Sequence, residues 1–369
     1  MSQLIAIAGA SFLVTFLAII ALRPLAYAID LIDRPGGHKT HHGDIPLMGG
    51  LAMFFGIVFG LAISGDGFHE INYLLVSATM LIVVGLLDDR FSLSPWLRLV
   101  VQFGATLPMM FGAGMVVTSL GNPFGGGEVQ LGALAYPFTA LLIMASINAF
   151  NMLDGMDGLA GGVALSAFLF LAGVAAMGGS TLPLSHASVM IGAVVAFLVF
   201  NAPLKFNESI RCFMGDAGST ILGFFAALLC IELSQGPRPA VPPVTALWFV
   251  AWPLFELLWS TVRRIAARRS PFKADNQHFH HVLTNAGFGV RSIFGVAIGL
   301  SLLFAGMGLL LQRLGAPQAL SFALLVASGV GTVYFVHHAK PLLRFVPLAY
   351  RRKIPPLESD SALGDSGTH

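Results

Sequence analysis

Long apolar stretches, broken at intervals by short polar clusters, run from the start of this chain to about residue 338. A helix crosses the hydrocarbon of a bilayer with roughly 17 to 25 predominantly apolar residues. Eleven such segments can be drawn, at approximately 3–22, 46–63, 71–87, 97–117, 129–148, 159–178, 187–203, 217–234, 241–262, 292–312 and 316–338. The pattern predicts an all-α, polytopic integral membrane protein with one transmembrane domain over residues 1–338. A basic and then polar tail over 339–369 is expected to remain unpacked. The first segment is longer than a signal-peptide core and lacks a basic start, so it reads as a retained helix.

Positive charge is divided unequally between the connecting segments. With the N-terminus outside, the inner segments hold Arg23, Arg34, Lys39, Arg90, Arg98, Lys205, Arg211, the stretch Arg263 to Arg291 and the tail from Lys340 to Lys353. Only Arg238 and Arg313 fall outside. The positive-inside rule then sets this orientation, and an odd number of spans leaves the C-terminus in the cytoplasm. Composition agrees with a membrane protein: 56% of residues are hydrophobic and 10% charged, against about 25% charged in soluble domains. A net charge of +2 gives no reason to expect a nucleic-acid partner, and two cysteines suggest neither a disulfide framework nor a metal knuckle.

The unusual polar clusters all fall on the inner side. They are residues 33–46, 88–98, 148–158, 206–220 and 274–281. Ionisable groups at membrane depth are costly and mark functional sites by default. A transporter would place its binding groups near the midplane between repeats. One-sided clustering instead points to an enzyme drawing a soluble substrate from the cytoplasm, with an ion-coupled secondary transporter as the alternative.

Within 148–158, N-A-F-N-M-L-D-G-M-D-G, the residues Asn148, Asn151, Asp154 and Asp157 recur every third position. At about 100° per residue, Asp157 lies about 180° from Asn148 on a straight helix. The four cannot converge on one ligand unless Gly155 and Gly158 break the helix. The reading places Asn148 and Asn151 on a helix end, Asp154 and Asp157 on a turn, and a hard cation and a phosphate beside them. Asp88 and Asp89 end the third segment, with Arg98 close enough in sequence to reach a phosphate at the same end. Gly215 to Ser219 open the eighth segment, where free amides favour an anion and Asp216 favours a metal. His278, His280 and His281 could form a zinc site, but such sites usually add a cysteine or a carboxylate at a suitable spacing. Phosphate binding fits them better, and His41 and His42 beside Lys39 read the same way. Glu256 in the ninth segment is expected to make a structural ion pair or hydrogen bond to a neighbouring helix.

These strings resemble, in order and over residues 33 to 290, the polyprenyl-phosphate N-acetylhexosamine-1-phosphate transferases, a family that includes the MraY, WecA and TagO types. D-D-x-x-x-L-S-P-x-x-R, N-x-x-N-x-x-D-G-x-D-G-L, F-M-G-D-A-G-S-T and H-x-H-H are nearest to the WecA type. The resemblance implies transfer of a sugar-1-phosphate, most simply from UDP-GlcNAc, to undecaprenyl phosphate with release of UMP. Another UDP-HexNAc or UDP-MurNAc-pentapeptide is the runner-up sugar donor. It further implies a bacterial inner-membrane location, a cytoplasm-facing site and Mg2+, for which Mn2+ could substitute. Apolar faces leave room for a homodimer.

Carried over by position, Asp216 and Asn151 resemble the metal ligands, and Asp88, Asp89, Asp154 and Asp157 are the catalytic candidates. Phe213 is similar to the aromatic residue that stacks on uracil, with Asp157 on the edge of the base. His278, His280 and His281 look like diphosphate donors. Lys39 and Arg98 would hold the lipid phosphate with His41 a donor at the mouth of the site, while Asn148 and Asp154 shape the turn. His38 stands where the family more often has Arg, and Arg98 where many relatives have Lys. Arginine stays protonated, so Arg98 can bind phosphate but not relay a proton. Asp88 could act as a base on the lipid phosphate, or one acid of the Asp88–Asp89 pair as a covalent nucleophile. A phosphate monoester, with its second pKa near ~6, is largely dianionic at neutral pH, so direct attack is expected.

Overall fold

The computed structural model describes residues 2–34, 43–65, 67–203, 210–268, 270 and 278–342. The described chain is helical nearly throughout. Helix α1 (Ser2–Ala28) is followed by a short antiparallel pair, β1 (Ile32–Asp33) and β2 (Ile45–Pro46), then α2 (Gly49–Ser64), α3 (Phe68–Phe91) and α4 (Pro95–Leu107). After a loop come α5 (Ala135–Leu153), α6 (Leu159–Gly178), α7 (Thr181–Asn201) and α8 (Gly215–Ser234). The last five are α9 (Pro243–Phe249), α10 (Ala251–Ala266), α11 (Phe279–Asn285), α12 (Val290–Arg313) and α13 (Gln318–Leu342).

Eight helices among the described residues are long and apolar enough to cross a membrane, or nine if α9 and α10 count as one span. Three of the eleven expected segments account for the difference. Residues 46–63 give only the 16-residue α2. Residues 97–117 give the 13-residue α4 and a π-turn over Pro108–Gly112. There Pro108 supplies no N–H to continue the α-helical ladder. Residues 241–262 split into α9 and α10, bent by 83°. Pro253 lies in the first turn of α10, where its missing N–H is tolerated, so the chain breaks at Val250 rather than running through.

Helix α8 is the central post, with 94% of its apolar window buried. Helices α2, α3 and α5 approach it backbone to backbone because glycine stands at those crossings. A Cβ on Gly85 of α3 would lie 2.3 Å from the Ala217 Cα, and one on Gly50 of α2 2.2 Å from the Gly218 nitrogen. On the α5 side, a Cβ on Gly223 would lie 2.6 Å from the Ile147 Cα, and the Ser146 hydroxyl donates to the Gly223 carbonyl at 2.7 Å. The axial and lateral position of α8 is therefore fixed by three backbone contacts. Gly223→Val should lower stability in detergent by about 1–3 kcal/mol, the usual cost of overpacking. Thermal unfolding of the purified variant checks this, and an unchanged transition would contradict it.

Three helix ends meet where the chain turns back: the C-terminal ends of α3 and α5 and the N-terminal end of α8. At the other end of α8, a buried pair of His186 Nδ1 and Glu232 Oε1, 2.9 Å apart, ties α7 to α8. The cavity of about 700 Å³ lined by Thr118, Gln235 and Gln312 also lies at that far end, away from the polar clusters.

Candidate active site

The start of α8 is shaped by Gly215 and Asp89. Gly215 has φ +70°, which places it in the left-handed region. Beyond it, the Asp89 carboxylate accepts from the Asp216 N–H at 2.8 Å and from Ala217 N–H at 3.5 Å. A carboxylate on free amides at a helix start is favoured by both hydrogen bonding and the helix dipole. The expected anion-binding helix end thus exists, but a side chain of the protein occupies it. Asp89 holds Asp216 in place.

Asp88 has different partners. It is buried, its Oδ1 accepts from the Leu93 N–H at 2.7 Å, and its Oδ2 lies 2.8 Å from Arg98 Nη1. The same Arg98 nitrogen is 3.4 Å from Asp216 Oδ2. Ser94 accepts from the Leu97 N–H and Pro95 opens α4, so the helix start that carries Arg98 is itself capped. Asn151 reaches Asp216 Oδ1 at 2.7 Å and Ser219 Oγ at 3.0 Å. Asn148 instead donates to Gln102 Oε1 on α4 and to the Met144 carbonyl, both at 2.7 Å. It braces α5 against α4 rather than facing Asp216.

Helix α5 stops at Leu153 and α6 starts at Leu159, so the chain does break at the glycines. Asp154 caps the end of α5. Withdrawal of its carboxyl from water, then the negative charges of Asp216, Asp89 and Asp157, hold its pKa well above the ordinary carboxylate range. The histidine cluster lands on this turn, because a Cβ on Gly155 would lie 2.6 Å from His280 Nε2. His280 and His281 have ring centroids 4.2 Å apart, and His278 stacks on His280 at 5.8 Å. Glu256 of α10 accepts from the Phe279 N–H at 3.2 Å, and Ser260 Oγ lies 3.2 Å from His278 Nδ1. As expected, Glu256 bonds a neighbouring helix, and what it fixes is the start of the histidine segment.

His280 differs from its neighbours in charge. Burial, then the proximity of His281 and His278, lowers its pKa to about 3, so it is neutral at pH 7. It can offer a hydrogen bond to a diphosphate but no positive charge. Its folded pKa lies below the unfolded value of about 6.5, so the unfolded chain binds the extra proton first. The stability contributed above pH 6.5 is lost as pH falls toward 3, with a slope of up to about 1.4 kcal/mol per pH unit. Corrected for the intrinsic rate, which itself slows over this range, exchange across 279–285 should show excess opening as pH falls from 7 to 5, and His280→Phe should remove that excess. An excess unchanged in the variant would place the titration elsewhere.

Phe213 sits in a strand-like segment beside the β-pair. Its N–H donates to the Pro46 carbonyl at 2.9 Å and its carbonyl accepts from Gly49 at 3.0 Å. Asp157 is paired with Arg211, two residues before Phe213. Asn201, at the end of α7, accepts from the Gly158 N–H at 2.7 Å and donates to the Cys212 carbonyl at 2.9 Å. Burial pushes the Cys212 thiol up to about 12, which leaves it inert. Lys39 and His41, with His38 and His42, lie outside the described residues, as does the tail from 343 onward.

Elements from 88 to 281 therefore converge on one end of the bundle, and comparison with known proteins gives this convergence a family. Residues 71–234 match the model of glycosyl transferase family 4. A Yersinia pestis protein named undecaprenyl-phosphate alpha-N-acetylglucosaminyl 1-phosphate transferase is 35% identical over 342 residues, covering 92% of this chain and 93% of its own length. The chain belongs to glycosyl transferase family 4. Proteins of the same name from Salmonella typhi, 35% identical over 95% of both chains, and from Escherichia coli O157:H7, 34% identical over 92% and 93%, agree.

The stretch matched by the family 4 model contains the Asp88–Asp89 pair, Arg98, the 148–158 turn, Phe213 and Asp216. Residues absent from the sequence reading as site members are Gln102, Asn201, Arg211 and Ser219. Asn201 carried a usable signal: it is a lone amide ending an apolar segment, as Asn148 is. Arg211 had been counted only as an inner charge.

For a divalent cation, the residues fit in one particular way. Asp88, Asp89 and Asp216 crowd one helix junction, and after burial the charges of Asp216 and Asp89 are what raise Asp154. Among the described residues, no three His, Cys, Asp or Glu side chains are grouped to hold an ion alone. Mg2+ is commonly held by one or two carboxylates, with substrate phosphates and water completing its shell. Asp216, with Asn151 beside it, suits that partial set of oxygen ligands.

Proposed function

We propose that this family 4 protein transfers GlcNAc-1-phosphate from UDP-GlcNAc to undecaprenyl phosphate, releasing UMP. The observation that carries the reading is the meeting of Asp88, Arg98, Asn151 and Asp216 at one helix junction, with Phe213 just ahead of α8 and His280 against Gly155 of the adjoining turn. Relatives that match over nearly their whole length bear the name of this activity. The positive charge on inner segments supports a site facing the cytoplasm from the inner membrane of a bacterium.

In this reading Phe213 and Asp157 receive the uridine, and the histidine segment faces the diphosphate. Arg98 faces the acceptor phosphate, and the family resemblance assigns Lys39 to the same phosphate. An apolar groove between α3 and α4 reaches Leu87 and Leu97, the residues next to Asp88 and Arg98, and supports the approach of an isoprenoid acceptor. An acceptor oxygen attacks the β-phosphorus, and the bond from that phosphorus to the oxygen bridging to the α-phosphate breaks. The bridging oxygen leaves with UMP, and phosphorus inverts. Both substrates are anions, so Mg2+ bound at Asp216 and Asn151 would neutralise charge on the diphosphate. Asp88 orients Arg98, and Asp89 fixes Asp216 through the α8 amides.

The direct test is incubation of the purified protein and Mg2+ with undecaprenyl phosphate and a panel of UDP-sugars, measuring UMP. Release with UDP-GlcNAc is expected, abolished by chelation. No release with any UDP-sugar would remove the transferase reading, and release with a different HexNAc alone would change the sugar donor. Retention of configuration with a chiral phosphorothioate would replace direct attack by a covalent intermediate.

A further inference from the structure

We infer that Asn201 is the positioning residue of the nucleotide pocket, setting the separation between the 154–158 turn and the 211–214 segment. The inference rests on the reading of Asp157 and Phe213 as nucleotide-facing. Asn201 is buried, and its amide is used in both directions. Oδ1 accepts from the N–H of Gly158, the residue after Asp157, at 2.7 Å. Nδ2 donates to the carbonyl of Cys212, the residue before Phe213, at 2.9 Å. Gly158 stands just ahead of α6, where a backbone N–H has no intrahelical acceptor. Cys212 precedes a residue whose own N–H and carbonyl are already committed to Pro46 and Gly49. One side chain therefore joins a turn to a strand-like segment that is itself anchored.

The turn is packed as well as bonded. A Cβ on Gly158 would meet Phe294 at 2.9 Å, Pro203 at 3.0 Å and the Ala202 Cα at 3.2 Å, so α12 and the chain just after Asn201 both close on this glycine. The Arg211–Asp157 pair spans the same gap nearer to water, with side chains 29% and 16% exposed. Partly exposed ion pairs contribute little, and a uracil edge taking Asp157 would compete with this one. Asn201 has no such competitor, so it maintains the spacing with or without ligand. The amide offers its acceptor and its donor on two separate atoms, whereas a serine hydroxyl would have to do both from one atom held closer to the backbone. Aspartate would keep the bond from Gly158 but turn an oxygen toward the Cys212 carbonyl.

The test uses full-length Asn201→Ala, Asn201→Ser and Asn201→Asp, with hydrogen exchange on the ligand-free enzyme and steady-state kinetics. The Ala and Ser variants should exchange faster in both 154–160 and 210–215, and Asp mainly in 210–215. The KM for UDP-GlcNAc should rise about tenfold, an effect of about 1.4 kcal/mol. The kcat and the KM for the polyprenyl acceptor should stay close to wild type. Exchange unchanged in both segments would overturn the inference whatever the kinetics. Faster exchange with an unchanged nucleotide KM would leave Asn201 a strut but overturn the assignment of these segments to the nucleotide. A fall in kcat at constant KM in all three variants would show a general structural role instead.

Discussion

Arg98→Ala should lower kcat by about 10²- to 10³-fold, the cost typical of removing one preorganised donor to a developing anionic centre. The guanidinium lies 2.8 Å from Asp88 and 3.4 Å from Asp216, with a third of its side chain accessible. It is therefore tethered by two carboxylates and still open to a phosphate. Without it, an incoming acceptor dianion would meet Asp88 and Asp216 with no compensating charge from Arg98. Arg98→Lys should recover part of the rate, because an ammonium brings the charge but not the further guanidinium donors that remain for a phosphate while Nη1 holds both carboxylates. The Mg2+ concentration for half-maximal rate should stay the same or fall, since losing a cation makes the site more negative. Near-wild-type kcat in Arg98→Ala would remove Arg98 from the reacting centre. A large rise in the Mg2+ requirement would point to a disrupted metal site instead.

The placement of this site was legible because carboxylates and amides are expensive within apolar segments and so stand out. Asn151, Asp154 and Asp216 could be singled out on that ground alone, and helical phase showed that the 148–158 stretch must break. The structure breaks it between Leu153 and Leu159. What stayed hidden depends on partners distant in sequence. Asp89 looks identical to Asp88 in the sequence, yet one caps α8 across 127 positions while the other pairs with Arg98 ten positions away. Asn148 carries the same side chain as Asn151, but Gln102 draws it toward α4. The split of 241–262 was missed for a different reason. Apolar composition counts toward a span whether or not a proline interrupts the backbone hydrogen bonding, and hydropathy carries no information about an 83° bend.

Gly215→Ala tests how far the chemistry depends on the α8 start. At φ +70° a non-glycine residue costs roughly 1–2 kcal/mol from backbone sterics alone. The added methyl would also lie 2.4 Å from Asp89 Oδ2 and 3.0 Å from its Cγ. Asp89 must then move, and the bonds to the Asp216 and Ala217 amides go with it. Losing such a cap typically costs about 1 kcal/mol of stability. The effect on rate should be larger, because a displacement of about 1 Å in a positioning element can cost about 10²-fold. The variant should therefore fold, with a lower unfolding temperature, and turn over about a hundredfold more slowly. A double-mutant cycle separates strain from displacement of the cap. If the methyl acts by expelling Asp89, Gly215→Ala should add little loss of rate to Asp89→Ala. Fully additive losses would show that the left-handed backbone at Gly215 positions Asp216 independently of the Asp89 carboxylate.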